Sequence, residues 1–154
     1  MGYTHYWTYK PEAIEDTEKL RKRFKRASQY VKGFVKFINA NKSEVYKICG
    51  GLGAGKPIIN ESEVWFNGDG KQQLDHETFH IHWAKGSKGF CKTARKPYDL
   101  VVCFSLLIFS ELFPEAFEYT SDGTMTDTEW QRAVELYEAF TGKESKAPVP
   151  DFGY

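Results

Sequence analysis

Between Leu100 and Phe113 the chain is apolar on every side. Leu100, Val101, Val102, Cys103, Phe104, Leu106, Leu107, Ile108, Phe109, Leu112 and Phe113 are interrupted only by Ser105, Ser110 and Glu111. A helix without a polar face is a buried helix, so the other elements must wrap around it. The run is shorter than the ~18 residues that read as a membrane span. Asp99 is placed to cap its start, with its carboxylate on the free amides, and Pro114 to end it. Just upstream, Lys92, Arg95 and Lys96 bring cations to the positive end of this helix. Cations meeting free amide donors suit an anion. The plainer alternative is that Asp99 takes those amides itself and the cations are simply solvated.

A length of 154 residues fits one domain. We read residues 1–142 as a single α+β domain and 143–154 as an extended tail containing Pro and Gly. The formal net charge is zero, so no global field draws the chain to nucleic acid or membrane. Charge is uneven along it: Lys19 to Lys36 is basic, and the part after Asp99 is mostly acidic. With 9 Tyr, 12 Phe and 4 Trp there are rings enough to fill a core and line a pocket. Cys49, Cys91 and Cys103 are widely spaced, without a CxxC pair, which argues for reduced thiols and a cytoplasmic location. The N-terminus has no apolar run of the signal-peptide kind. Cys91 sits beside Lys92, which would lower a thiol pKa if the group were exposed; a small buried side chain is the plainer reading.

Gly2 to Tyr9 alternates as a strand, with Tyr3, His5, Trp7 and Tyr9 on one face. Pro11 is expected to open a long helix, roughly Glu12 to Asn39, with a buried stripe of Leu20, Phe24, Ala27, Val31, Phe34 and Ile38. Its other face, Lys19 to Arg26, reads as solvated, the alternative being a grip on phosphates. Val45 to Ile48 is a candidate short strand. Gly50 to Lys56 satisfies GxxxxGK, but Pro57 stands where a P-loop needs Ser or Thr, and the next stretch reads as strand, so we expect a flexible loop. Pro57 to Asn67 is one strand. In Asp75 to Trp83, Phe79, Ile81 and Trp83 face the core, which puts His76, Thr78, His80 and His82 on the other face. Phe90 to Thr93 should pair antiparallel with it. Phe117 to Thr120 is a last strand, and Thr126 with Glu129 forms a capping box for a last helix, stopped by Gly142. The order β-α-β-β-β-α-β-α gives an α+β class: an antiparallel or mixed sheet of about five strands, with three helices packed mainly on one face.

His80-x-His82 invites zinc, with His5 or Asp75 as a third ligand. A lone HxH is weak, and we expect no metal and no cofactor. A metal-free site is the better chemistry: a His base with a Lys or Arg clamp. His5, His76, Glu77, Thr78, Lys92 and Arg95 are its parts. His76-Glu77-Thr78 supplies one HxT motif of a two-histidine phosphoesterase, and His5-Tyr6-Trp7 is not the second.

Gly2-Tyr3-Thr4-His5-Tyr6-Trp7, Phe66-Asn67-Gly68, His76-Glu77-Thr78-Phe79 and the block from Cys91 to Asp99 together resemble a family of short phage and bacterial proteins. Ser121-Asp122-Gly123 before a Trp-bearing helix fits the same pattern. The resemblance covers nearly the whole chain, and the Cys91–Asp99 block is its most specific part. It implies a cytosolic, phage-associated protein and supplies no mechanism.

The expected function is binding of a small anionic, nucleotide-derived ligand by Tyr3, His5, Trp7, His76, Thr78, Lys92, Arg95 and Tyr98. Rings stack a base while Arg and Lys take phosphates. In a phage setting that ligand would be a host immune signal, a cyclic dinucleotide or an ADP-ribose derivative, held away from its effector. The alternative is a metal-independent phosphodiesterase with His5, His76 and Glu77 as its acid/base groups. Membrane and nucleic acid are not expected partners; a homo-oligomer is left open.

Overall fold

The computed structural model describes residues 3–41, 43–124 and 126–143. Apart from Lys143, the expected tail lies outside the described residues. β1 (Thr4–Tyr9) leads through a 3-10 turn (Pro11–Ala13) into α1 (Thr17–Asn41). A second 3-10 turn (Glu44–Tyr46) precedes β2 (Ile58–Ile59), β3 (Glu63–Phe66), β4 (Phe79–His82) and β5 (Ser87–Lys92). α2 (Asp99–Leu112), β6 (Phe117–Ser121) and α3 (Thr128–Thr141) follow.

The class is α+β, but the expected single sheet of about five strands is corrected. Among the described residues there are three helices and six strands, the strands in two three-stranded antiparallel sheets ordered β5-β1-β6 and β2-β3-β4. Two local causes account for this. Asn60 accepts from the amides of Ser62 and Glu63, so Pro57–Asn67 folds back as the β2–β3 hairpin instead of one strand. β5 pairs with β1, not with β4, and Gly89 lies opposite Trp7. A Cβ on Gly89 would stand 2.4 Å from the indole, so glycine there leaves the room that lets Trp7 pack against Phe79, ring centroids 4.9 Å apart and the planes tilted.

α2 is the centre. Every residue from Asp99 to Phe109 is buried, and the helix packs against α1, α3 and β6. The expected α1 stripe is buried in full, with Phe34 stacked on Phe104 at 4.0 Å and Phe24 edge-on to Phe109 at 5.6 Å. Each such ring contributes about 1.5–3 kcal/mol by leaving water. No helix among the described residues is long and apolar enough to cross a membrane.

Helix ends depart from expectation where a carboxylate has a better partner. α1 begins at Thr17, not Glu12, because Asp16 accepts from the amides of Glu18 and Lys19. Asp99 is the first residue of α2 and no cap: the start is tied by backbone turns from Asp99 to Lys96 and from Leu100 to Pro97, which frees the carboxylate to point inward. The Thr126–Glu129 capping box does not form. Asp127 precedes α3, and its carboxylate accepts from the Thr124 amide and the Tyr3 hydroxyl. Gly142 does end α3, at φ +69°. Val45–Ile48 is not a strand: the 3-10 turn leads to Ile48, whose amide is held by Asn39.

Candidate functional site

His5 faces inward from β1 and meets the first turn of α2. Its Nε2 lies 2.6 Å from Asp99 Oδ1 and its Nδ1 lies 2.7 Å from Ser121 Oγ. Ser121 Oγ also accepts from Trp130 Nε1–H at 3.1 Å and from the Gly123 amide at 2.9 Å. Those two bonds occupy both lone pairs of the hydroxyl, so its own proton goes to Nδ1. The imidazole is thus the neutral Nε2–H tautomer, and Nε2 donates to Asp99. Asp99 further accepts from Thr93 Oγ1 at 2.5 Å and Cys103 Sγ at 3.4 Å. All six side chains are buried, and His5 itself has no exposed surface. Ser121, His5 and Asp99 stand in the order of a nucleophilic triad, but a substrate cannot reach a sealed serine.

Among the described residues His5, Asp99 and Cys103 are the one group of three that could ligate a metal, their donor atoms all within 4.8 Å. A tetrahedral metal with bonds of about 2.0–2.1 Å holds its ligand atoms roughly 3.3 Å apart. The 2.6 Å between Nε2 and Oδ1 is a hydrogen-bond distance. The geometry fits a shared proton. Burial also raises the Cys103 thiol pKa, away from the thiolate a metal needs.

Thr93 to Lys96 makes a tight turn on this buried network. Ala94 and Arg95 both have positive φ, +52° and +58°, which costs about 1–2 kcal/mol per non-glycine residue. The turn is held by Thr93 N–H to Tyr3 O and Lys96 N–H to Thr93 O, both 3.0 Å. It lays the Arg95 guanidinium over the Tyr3 ring, 4.0 Å from the centroid, and within 3.1 and 3.2 Å of the Glu129 carboxylate oxygens. Partial burial works against the charge on Arg95, but the Glu129 hydrogen bonds and charge prevail and hold its pKa above the ordinary value. Burial first, and nearby acidic groups after it, push the Tyr3 hydroxyl well up.

Arg95 also lines a cleft of about 190 Å³ between the first turns of α2 and α3, with Lys96, Arg132 and Tyr46. Arg132 donates to the Tyr46 hydroxyl at 2.9 Å, and Lys96 Nζ donates to Gln73 O at 2.8 Å. Glu129 is the opposing charge in the lining; Asp99 is committed to the core. Each cation keeps further donors for an anion.

The eight residues expected to bind the ligand do not line one cavity. Tyr3, His5 and Arg95 are brought together, with the Tyr3 and His5 rings 5.2 Å apart, but Tyr3 and His5 are buried beneath Arg95. Lys92, Glu77 and Tyr98 meet at a second node: the Lys92 amide donates to Glu77 Oε1 at 2.6 Å and the Tyr98 hydroxyl to Glu77 O at 2.6 Å. Tyr98 is buried there and the Lys92 side chain is exposed. Trp7 is in the core against Phe79. His76 is exposed, and Thr78 donates to Gly51 O. Cys91 is buried with its thiol pushed up to about 12 by burial, so the lowered pKa is corrected. His80 pairs with Glu63 at 2.9 Å, and His82 Nδ1 accepts the Ala84 amide.

The sequence pattern gives Ser121 and the helix of Trp130 only as part of the resemblance, and gives Arg132 and Tyr46 no role at all. Asp99 was visible but read as a cap; its spacing of four from Cys103, on a helix buried all round, is the signal that it faces inward. Arg132 stands three residues after Glu129, which places both on one helical face beside Arg95. Comparison with protein-family models, with curated proteins and with solved structures finds no match.

Proposed function

We propose that the protein binds a small anionic, nucleotide-derived ligand, with the ligand's phosphate in the cleft between α2 and α3. The observation that carries this reading is the convergence of Arg95, Lys96 and Arg132 on one hollow of about 190 Å³. That volume is below the roughly 300–1,000 Å³ of a site enclosing a whole drug-sized molecule, so it suits a phosphate group with the rest of the ligand outside. Tyr46, half-buried at the rim, offers a ring for a base. The resemblance to phage proteins supports a role in sequestering a host signalling nucleotide, a cyclic dinucleotide or an ADP-ribose derivative, in the cell cytosol. That step is an analogy of setting. Sequestration suits the site better than cleavage, because His5, an acid/base group of the cleavage alternative, is sealed from solvent.

Native mass spectrometry of the protein purified from cells tests both. A retained mass in the nucleotide range, released intact by denaturant, supports a sponge. Release of fragments points to the phosphodiesterase alternative. A protein at its bare mass that takes up none of the candidate nucleotides when they are added contradicts the reading. The same spectrum reports the subunit count.

A further inference from the structure

The largest hollow among those described is not the α2–α3 cleft but a groove of about 830 Å³ between α1 and β2. Its chemistry is of two kinds. Lys32 and Lys36 stand one helical turn apart on α1, and Lys56, the lysine of the GxxxxGK sequence, faces them from the other wall. Among the described residues none of the three has an ion-pair partner, and no carboxylate lines the groove. Between the lysines the lining is aliphatic: Ile58 is 38 % exposed, and Val35 and Ile59, buried at 3 % and 6 %, form the floor beneath it. Three unneutralised ammonium groups around an aliphatic wall are complementary to an anion carrying an aliphatic body.

We propose that this groove binds a free anionic amphiphile, an aliphatic chain with an acidic headgroup, the headgroup held by Lys32, Lys36 and Lys56 and the chain laid on Val35, Ile58 and Ile59. Size and composition choose this occupant over two others. Ten residues line the groove, against about 20–30 a side in a stable protein–protein interface. No aromatic ring lines it, so it lacks the stacking platform of single-strand nucleic-acid sites. Its volume lies within the range of small-molecule pockets. None of its residues is shared with the α2–α3 cleft, so the inference does not rest on the phosphate reading given there.

The test is a methyl and amide chemical-shift titration of the full chain with dodecyl phosphate below its micelle concentration. Inorganic phosphate, dodecyltrimethylammonium and a short single-stranded oligonucleotide are the comparison probes. The expected result is saturable shifts at Val35, Ile58, Ile59 and their neighbours with dodecyl phosphate, read separately from any shifts at the α2–α3 cleft, and no saturation at these groove residues with the first two probes. Lys32→Glu with Lys36→Glu should weaken dodecyl phosphate at these methyls at least about tenfold. All three lysines are exposed; should the double Glu variant lose its dispersed spectrum, Lys32→Gln with Lys36→Gln replaces it, with the same direction expected. The proposal is overturned if inorganic phosphate saturates the same resonances as tightly, if the charge variants bind as well as the parent, if no saturable shift appears at these methyls, or if the oligonucleotide binds more tightly at them.

Discussion

His5 Nε2 lies 2.6 Å from Asp99 Oδ1, and neither side chain reaches solvent. This contact joins the middle strand of one sheet to the first residue of the central helix. Ser121 extends it to β6 and Trp130 to α3, so four elements share one buried polar network.

His5→Phe removes one member and leaves the Asp99 carboxylate and the Ser121 hydroxyl short of a partner in an apolar setting. Losing a buried hydrogen bond to a carboxylate in this way costs about 1.5–3 kcal/mol. Urea unfolding should show that loss as a lower midpoint, while the folded fraction keeps its affinity for anions at the α2–α3 cleft. A change below about 1 kcal/mol would mean that the network is dispensable.

Arg95→Gly separates charge from scaffold. Glycine accepts φ +58° without strain, a relief of about 1–2 kcal/mol. The lost contacts with Tyr3 and the half-exposed Glu129 pair are worth a similar amount, about 0.5–1 kcal/mol each. Thermal unfolding should therefore shift little, and binding of a phosphate-bearing ligand should weaken at least about tenfold. Full affinity in this variant would remove Arg95 from the site.

Alkaline pH should unfold the protein through its buried thiols. Burial pushes the Cys91 thiol up to about 12 from an ordinary 9.0. Between those values the unfolded chain has lost the proton that the native state keeps. Stability is therefore fully present below about pH 9 and falls as pH rises, by about 1 kcal/mol per pH unit for one such group. Denaturant midpoints measured near pH 8 and pH 10 should differ in that direction, and Cys91→Ala should flatten the slope. A midpoint that rises with pH over this window would contradict the assignment.

Asn67 is a staple for three segments. Its amide donates to Gly51 O and His76 O, and its side-chain oxygen accepts from the Gly68 and His76 amides, with the residue 2 % exposed. Asn67→Ala leaves buried backbone groups without partners, at a cost of about 2–4 kcal/mol. Hydrogen exchange should speed up first at Gly68 and His76. Uniform exchange across the chain would show that these loops do not depend on it.

Patterns that depend on one element at a time were legible in the sequence. The apolar run from Leu100, the Leu20–Ile38 stripe and the β1 alternation are local periodicities, and the structure buries the run through Phe109, the stripe in full and the inward face of β1. What depends on two elements was not. Asp99 looks like a cap until His5 and Thr93 are brought to it across the chain. Glu129 looks like half of a capping box until the strained Thr93–Lys96 turn delivers Arg95. The pairing of β5 with β1 depends on a glycine meeting a tryptophan about eighty positions earlier, which no local period records. Aromatics expected to form the ligand pocket went instead into the core, since Tyr3, Trp7 and Tyr98 lie on inward faces.

Pyrophosphate probes the α2–α3 cleft without any assumption about the base. In an amide chemical-shift titration, the resonances of Arg95, Lys96, Thr128 and Glu129 should move saturably, and Arg132→Glu should abolish the movement while the remaining spectrum stays put. Shifts that never saturate, or that persist undiminished in Arg132→Glu, would contradict a phosphate seat at this cleft.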